Sequence, residues 1–261
     1  MKCKEIAAVI EQLTPRSLAY EWDNVGLLFG DMEQEVTRLL LTLDMDIGVA
    51  QEAARLGAQM VVGHHPILFD PVSRVTAQTP DGRLLQTLAR NSVSYYAAHT
   101  NLDIAKGGLN DLLAKKFRLK HVELLEPVET AGEGIGRIGD LDAPITLLAL
   151  AERVKKALGI ENLRYAGDED ALVSRIAVNS GGGASLIDAA LSHGADVFIT
   201  GDYKYAQIRG CLDNGMKVID VGHYDSEILV CELLQEYLTP RIGSSVEILL
   251  TEANKNVVKF L

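Results

Sequence analysis

Short apolar runs, each closed by a glycine or a polar residue, alternate along the chain with stretches of helical period. In the first half they are Arg38-Leu39-Leu40-Leu41-Thr42-Leu43, Met60-Val61-Val62-Gly63 and Val93-Ser94-Tyr95-Tyr96-Ala97-Ala98. In the second they include Arg175-Ile176-Ala177-Val178, Val197-Phe198-Ile199 and Val218-Ile219-Asp220-Val221-Gly222. Runs of this length without polar alternation predict strands buried on both faces, as in the parallel sheets of α/β proteins. Residues 38–62 lie over residues 175–199 without a gap, with Arg38/Arg175, Ala53/Ala190, Gly57/Gly194 and Ala58/Ala195 identical. Each copy reads as a strand, a turn, a helix of about three turns ending at a glycine, and a second strand, which is a βαβ unit. The pattern points to an internal duplication and to two similar α/β domains.

Several further elements follow from the same pattern. The first copy has a surplus, Pro66 to Val75, that predicts a long proline-punctuated loop after its second strand, where loops commonly shape sites. Between the copies, Gly132 to Asp140 reads as a connection that starts the second domain, and Ile145 to Leu158 as a helix. The tail, Ser245 to Leu261, alternates like a final strand or two returning to the first sheet. The division this predicts is residues 1–122 with 221–261 in one domain and 123–220 in the other.

Composition narrows the function. With 261 residues, 48% of them hydrophobic, the chain fills real cores and is not disordered. Its net charge of -11 repels phosphate backbones and anionic membranes over most of the exterior, which argues against nucleic acid and membrane surfaces as partners. A small anionic ligand stays compatible if divalent ions reverse the field inside a pocket. Cys3, Cys211 and Cys231 form neither a disulfide framework nor a thiolate zinc pattern, as expected in a reducing cytoplasm. The N-terminus runs straight into an amphipathic pattern with no signal-type core.

The chemistry-bearing residues sit just after the predicted strands. His64-His65 follows Met60 to Gly63, where the second copy has Gly201-Asp202. The next strands lead into His99-Thr100-Asn101-Leu102-Asp103 and His223-Tyr224-Asp225-Ser226-Glu227, two histidines each with a carboxylate four residues on. That spacing turns imidazole and carboxylate the same way if a helix begins there, and both bind divalent metals. The carboxyl ends of parallel strands are where α/β proteins place ligands. Singly, Asp103 and Glu227 also suit a first helical turn, and the histidine pair a hydrogen-bonded turn. Together His64, His65, Asp103, His223 and Glu227 exceed the need of one four-coordinate ion and suit two. His99 competes with His65 for a ligand role, or acts behind the ligands, or carries protons. Asn179 to Ser185, with Gly181-Gly182-Gly183, reads as a tight strand-to-helix turn before it reads as a phosphate cradle, and Tyr203 and Lys204 either supply a ring and a cation near such a phosphate or are solvated surface. Trp22, the single tryptophan, is either a packed turn residue or an aromatic plane for a base.

Trp22-Asp23-Asn24-Val25-Gly26, Gly63-His64-His65-Pro66, His99 to Asp103, Gly136-Arg137-Ile138-Gly139, Gly201 to Tyr205 and Gly222 to Glu227 together resemble the Nif-three-like family, whose bacterial members are often labelled GTP cyclohydrolase 1 type 2 homologs. The resemblance covers nearly the whole chain. It implies two interlinked α/β domains with mixed β-sheets flanked by helices, a dinuclear metal centre and a ring-shaped homohexamer. It carries ligand roles onto His64, His65, Asp103, His223 and Glu227, the same five residues. Many relatives have a middle domain that this chain is too short to contain. The implied activity is metal-dependent hydrolysis of a nucleotide or related small molecule. Mixed imidazole and carboxylate ligands suit two divalent ions per chain, zinc, iron or manganese, and His99 is the candidate proton carrier. A metal-dependent phosphoesterase and a non-catalytic metal-dependent scaffold are the competing expectations.

Overall fold

The computed structural model describes residues 1–261, and the chain divides into two compact units. Met1–Leu102 with Val230–Val257 form the first, and Asp103–Leu229 with Val258–Leu261 the second. No helix is long and apolar enough to cross a membrane.

The first unit begins with helix α1 (Cys3–Leu13), strand β1 (Gly26–Phe29) and strand β2 (Arg38–Thr42). Helix α2 (Ile47–Leu56) then starts where the Asp46 carboxylate accepts from Val49 N–H, and stops at Gly57, whose φ of 67° opens the left-handed exit. Strand β3 (Met60–Gly63) follows, then helix α3 (Pro80–Arg90), capped by Thr79 with proline at its first position, and strand β4 (Ser94–Ala97). The short helix α4 (Thr100–Ile104) carries the chain out of the unit.

The second unit continues with α5 (Leu109–Lys116), β5 (Lys120–Pro127), β6 (Gly134–Thr146), α6 (Leu147–Leu158), β7 (Arg164–Ala166), β8 (Leu172–Gly182), α7 (Ile187–Ser192), β9 (Val197–Gly201), α8 (Tyr205–Asp213), β10 (Lys217–Asp220) and α9 (His223–Glu227). The chain then returns to the first unit as α10 (Leu229–Ile242) and β11 (Glu247–Leu250).

The five-stranded sheet of the first unit runs β1-β4-β3-β2-β11, and the six-stranded sheet of the second runs β5-β6-β8-β9-β10-β7. In both, a run of parallel strands that includes β2-β3-β4 or β8-β9-β10 carries an antiparallel edge strand, β1 on β4 or β7 on β10. The internal similarity therefore extends over four strands, beyond the βαβ unit that the sequence predicts, and each third strand leads into a five-residue helix, α4 or α9. The copies differ in helix: α2 has ten residues, whereas α7 has six behind a single 3-10 turn at Ala184–Leu186. The tail returns as one strand, β11, parallel to β2.

Gly132 to Asp140 is not a connection. Most of it lies in β6, a 13-residue strand antiparallel to β5 and β8. Its glycines serve close packing: a Cβ on Gly134 would stand 2.6 Å from the Glu126 carbonyl, and one on Gly139 2.7 Å from that of Lys120. The Ile145–Leu158 helix begins two residues later than its pattern suggests, because β6 runs to Thr146, whose hydroxyl caps α6.

The strands that bear the site are dry on both faces. Leu40, Val61, Tyr95 and Ala97 pack with Val49, Ala53, Leu84 and Leu88 of α2 and α3, and the alternate residues Leu39, Leu41, Met60, Val62 and Tyr96 are equally buried. A core closed on both sides fixes the strand ends, and with them the direction of the residues that follow.

Candidate metal centre

In the first unit the chain turns directly after β3. The N–H groups of His64 and His65 both donate to the Leu43 carbonyl, at 3.1 Å each. Tyr95 of β4 donates its hydroxyl to the His65 carbonyl at 2.6 Å, and that phenol occupies the space a side chain at position 63 would need. A Cβ on Gly63 would lie 2.1 Å from Tyr95 Oη, so the glycine of Gly63-His64-His65 is there for the tyrosine.

Three imidazoles gather at this strand end. The ring centroids of His64, His65 and His99 are 5.1–5.5 Å apart, and one ligand atom from each lies within 4.8 Å of the others. Each ring has its Nδ1 held by an oxygen: His64 by the Ala98 carbonyl at 2.7 Å, His65 by Asp44 Oδ1 at 2.7 Å, His99 by Asp23 Oδ1 at 2.9 Å. A carbonyl oxygen can only accept, so Nδ1 of His64 carries the proton and its lone pair is on Nε2. A carboxylate behind His65 and His99 favours the same tautomer and makes Nε2 a better donor to a cation, the arrangement found behind metal-bound histidines. The donor set thus fits a divalent ion.

Asp23 also accepts from Thr100 N–H at 3.1 Å and Thr100 Oγ1 at 2.5 Å, so one carboxylate both starts α4 and orients His99. Burial pushes the Asp23 carboxyl up, but the bonds from His99 and Thr100 outweigh it and hold the group down at about 2.

The second unit holds the other three predicted ligands. Asp103, in α4, is buried and accepts from Ser180 Oγ at 2.9 Å through Oδ1, while its carbonyl accepts from Asn110 Nδ2 at 3.0 Å. His223 opens α9 and Glu227 closes it, and the spacing of four brings His223 Nε2 within 2.9 Å of Glu227 Oε2. Asp202 Oδ2 engages His223 Nδ1 at 2.8 Å. The Glu227 hydrogen bond chiefly raises the His223 pKa, against burial and with help from Asp202, to about 9. Asp202 makes this contact from a left-handed backbone conformation, φ 60°, which an aspartate tolerates better than most residues.

The glycine turn after β8 is built around this pair. A Cβ on Gly181 would fall 2.1 Å from Glu227 Oε1 and 3.2 Å from His223 Cε1. Its N–H groups serve the protein: Ser180 N–H donates to Asn110 Oδ1, Gly181 N–H to Ser226 Oγ and Gly183 N–H to Thr200 Oγ1. The segment is a packed turn that backs the histidine and carboxylate. Tyr203 is buried, with its hydroxyl on the Phe198 carbonyl.

The predicted residues thus fall into His64 and His65, joined by His99, in the first unit, and Asp103, His223 and Glu227 in the second. Asp44, Asp23 and Asp202, the partners of the histidines, are not evident from the sequence. The duplication holds a trace of the last: Asp202 occupies the place of His65 in the other copy, and Gly181 that of Asp44. One half has an imidazole backed by a carboxylate; in the other a carboxylate stands in the imidazole's place and turns toward His223, and a glycine stands in the place of the backing carboxylate.

The family model described as Duf34/NIF3 (NGG1p interacting factor 3) matches residues 1–257. A Clostridium perfringens protein described as a GTP cyclohydrolase 1 type 2 homolog is 36% identical over 263 residues, covering 100% of each chain. A crystal structure of a Staphylococcus aureus hypothetical protein is similar with a TM-score of 0.92 at 28% identity, over 100% of this chain and 99% of that one. Reduced HcgD from Methanocaldococcus jannaschii is similar with a TM-score of 0.83 at 32% identity, over 97% and 98%.

Proposed function

Because the chain belongs to the Duf34/NIF3 family, we propose that it is a dinuclear metal-dependent hydrolase acting on a nucleotide or a related small molecule. Its ligands are His64, His65, Asp103, His223 and Glu227, with two divalent ions per chain. The observation that carries this reading is the holding of Nδ1 in His64, His65 and His99 by Ala98, Asp44 and Asp23, which orients three rings from behind. Mixed imidazole and carboxylate donors suit zinc, iron or manganese better than magnesium. When bound, such ions supply Lewis acidity and acidify water.

The chain's own groups do the remaining work. Asp44 and Asp23 keep His65 and His99 in one tautomer, and His99 exchanges protons with the substrate at Nε2 while Asp23 stabilises the charged ring. The curated relatives' description, carried to this chain, makes opening of a purine imidazole ring the first reaction to test. Phosphoester hydrolysis is the competing reaction, and the internally bonded N–H groups of the Gly181-Gly183 turn lend it no phosphate cradle.

The test is a metal-replete screen across nucleotides and phosphoesters that reads ring opening and phosphate release together. Ring opening, slowed about 100-fold or more in His99→Gln with the metal retained, is the expected result. Turnover of nothing in the screen returns the protein to a metal-dependent binding or scaffold role. A ring-shaped homohexamer belongs to the same reading, and light scattering should give six times the 28.3 kDa chain mass.

A further inference from the structure

Trp22 is 59% exposed and Phe69 51% exposed, although both are large apolar rings. They stand side by side, with centroids 5.8 Å apart, and Tyr20 stacks on Trp22 at 5.5 Å with an interplanar angle of 20°. The Trp22 ring is also edge-on to His99, at 6.3 Å. Loose chain does not explain this exposure. Asp23, next in sequence, has a fully buried side chain bonded to His99 and Thr100, and Asn24 Nδ2 donates to the Leu68 carbonyl at 2.6 Å, tying the tryptophan segment to the loop that carries Phe69. The buried Asp23 carboxylate and the half-buried Asn24 amide therefore hold two aromatic rings in water, one of them against His99 of the imidazole cluster, when folding alone favours covering them.

We propose that Tyr20, Trp22 and Phe69 form a stacking surface for a planar heteroaromatic ring such as a nucleobase, and that they present this ring to the His64, His65 and His99 cluster. Aromatic rings offer a flat, polarisable face that stacks on any base without reading its hydrogen-bonding edge. The charge around the surface selects for the ring over a phosphate, since Glu21 and Asp70 flank it as exposed residues beside the buried Asp23 carboxylate. The surface also gives a purpose to the surplus loop of the first copy, which brings Phe69 to Trp22. This inference refines the hydrolase reading by naming the part of the substrate that is gripped, and binding of the ring is separable from metal binding.

Trp22 is the only tryptophan, so its emission reports this surface alone. Wild-type protein, metal-free and metal-loaded, is titrated with guanosine and with ribose 5-phosphate, metal content being measured on the same samples. The expected result is saturable quenching by guanosine and none by ribose 5-phosphate. Phe69→Ala, which keeps the tryptophan, should shift the midpoint several-fold, and Trp22→Ala should weaken guanosine binding in equilibrium dialysis on the order of ten-fold. Both side chains are exposed, so the variants should keep the wild-type circular dichroism. Absence of saturable quenching, equal quenching by ribose 5-phosphate, or unchanged guanosine binding by Trp22→Ala overturns the proposal. Quenching by protein that takes up no metal supports the stacking surface while removing the metal reading; metal uptake without quenching does the reverse.

Discussion

Asp23→Asn is the most informative single change in the first unit, because one buried carboxylate starts a helix and orients a histidine. The substitution keeps the size of the side chain and removes its charge. The carboxylate accepts from His99 Nδ1, Thr100 N–H, Thr100 Oγ1 and Asn24 N–H, and an amide in its place retains one acceptor oxygen and turns an NH2 group toward one of these donors. A carboxyl held at about 2 against an ordinary 3.8 contributes about 2 kcal/mol of folding stability. For a chain of this size that corresponds to a fall of roughly 4–8 °C in Tm. The sign of the pH dependence follows from the downward shift: the contribution is complete above pH 3.8 and is lost as pH falls through 3.8 toward 2. Urea denaturation of metal-free wild type and variant from pH 7 down to pH 3 should show a gap of about 2 kcal/mol that narrows at the acid end. A gap below about 0.5 kcal/mol at pH 7, within the range of ordinary surface substitutions, would show that the Asp23 charge does not stabilise the fold, as would a gap that does not change with pH.

Two further changes test the second unit. Gly181→Ala places a methyl 2.1 Å from Glu227 Oε1 at a φ of 59°, so it should destabilise the protein by about 1–3 kcal/mol and lower metal retention; a variant as stable as wild type in thermal unfolding contradicts the packing described. In metal-free protein the His223 ring should titrate near 9 by NMR, since its charged form is favoured by Glu227; the pair's contribution to stability is then complete below 6.5 and lost as pH rises through about 9. Glu227→Gln should bring that midpoint down toward 6.5, and an unmoved midpoint would show that another group sets it.

Much of this architecture is legible in the chain because parallel strands are apolar along their whole length and helices announce their ends. Leu39-Leu40-Leu41 and Val197-Phe198-Ile199 need no context to be recognised, and Gly57 and Gly159 mark helix exits through left-handed backbone angles that glycine adopts without strain. Strand β6 escapes this logic. Its glycines resemble a linker, and only the carbonyls of β5 lying against Gly134 and Gly139 explain them. The edge strand β7 is three residues long and too short to carry a period.

The site divides in the same way. The histidines and carboxylates stand at strand ends, where chemistry is expected, and the spacing of four predicts the contact of His223 with Glu227. The aspartates behind them are remote: Asp23 lies 76 residues from His99, and Asp44 and Asp202 each lie 21 residues from His65 and His223. An acceptor oxygen at such a distance in sequence leaves no local signature, because the fold alone brings it to the ring. His99 stands at the end of β4, and its ring joins those of His64 and His65 through the parallel pairing of β3 with β4.

Whether these groups hold metal is decided by metal analysis of the purified protein. Inductively coupled plasma mass spectrometry on wild type, His64→Ala and Glu227→Ala, each confirmed as folded, gives the ion content per chain. Close to two divalent transition-metal ions per chain are expected in wild type, with a clear loss in both variants. Metal content unchanged in the two variants, or wild type that retains none after supplementation and desalting, would contradict the metal reading.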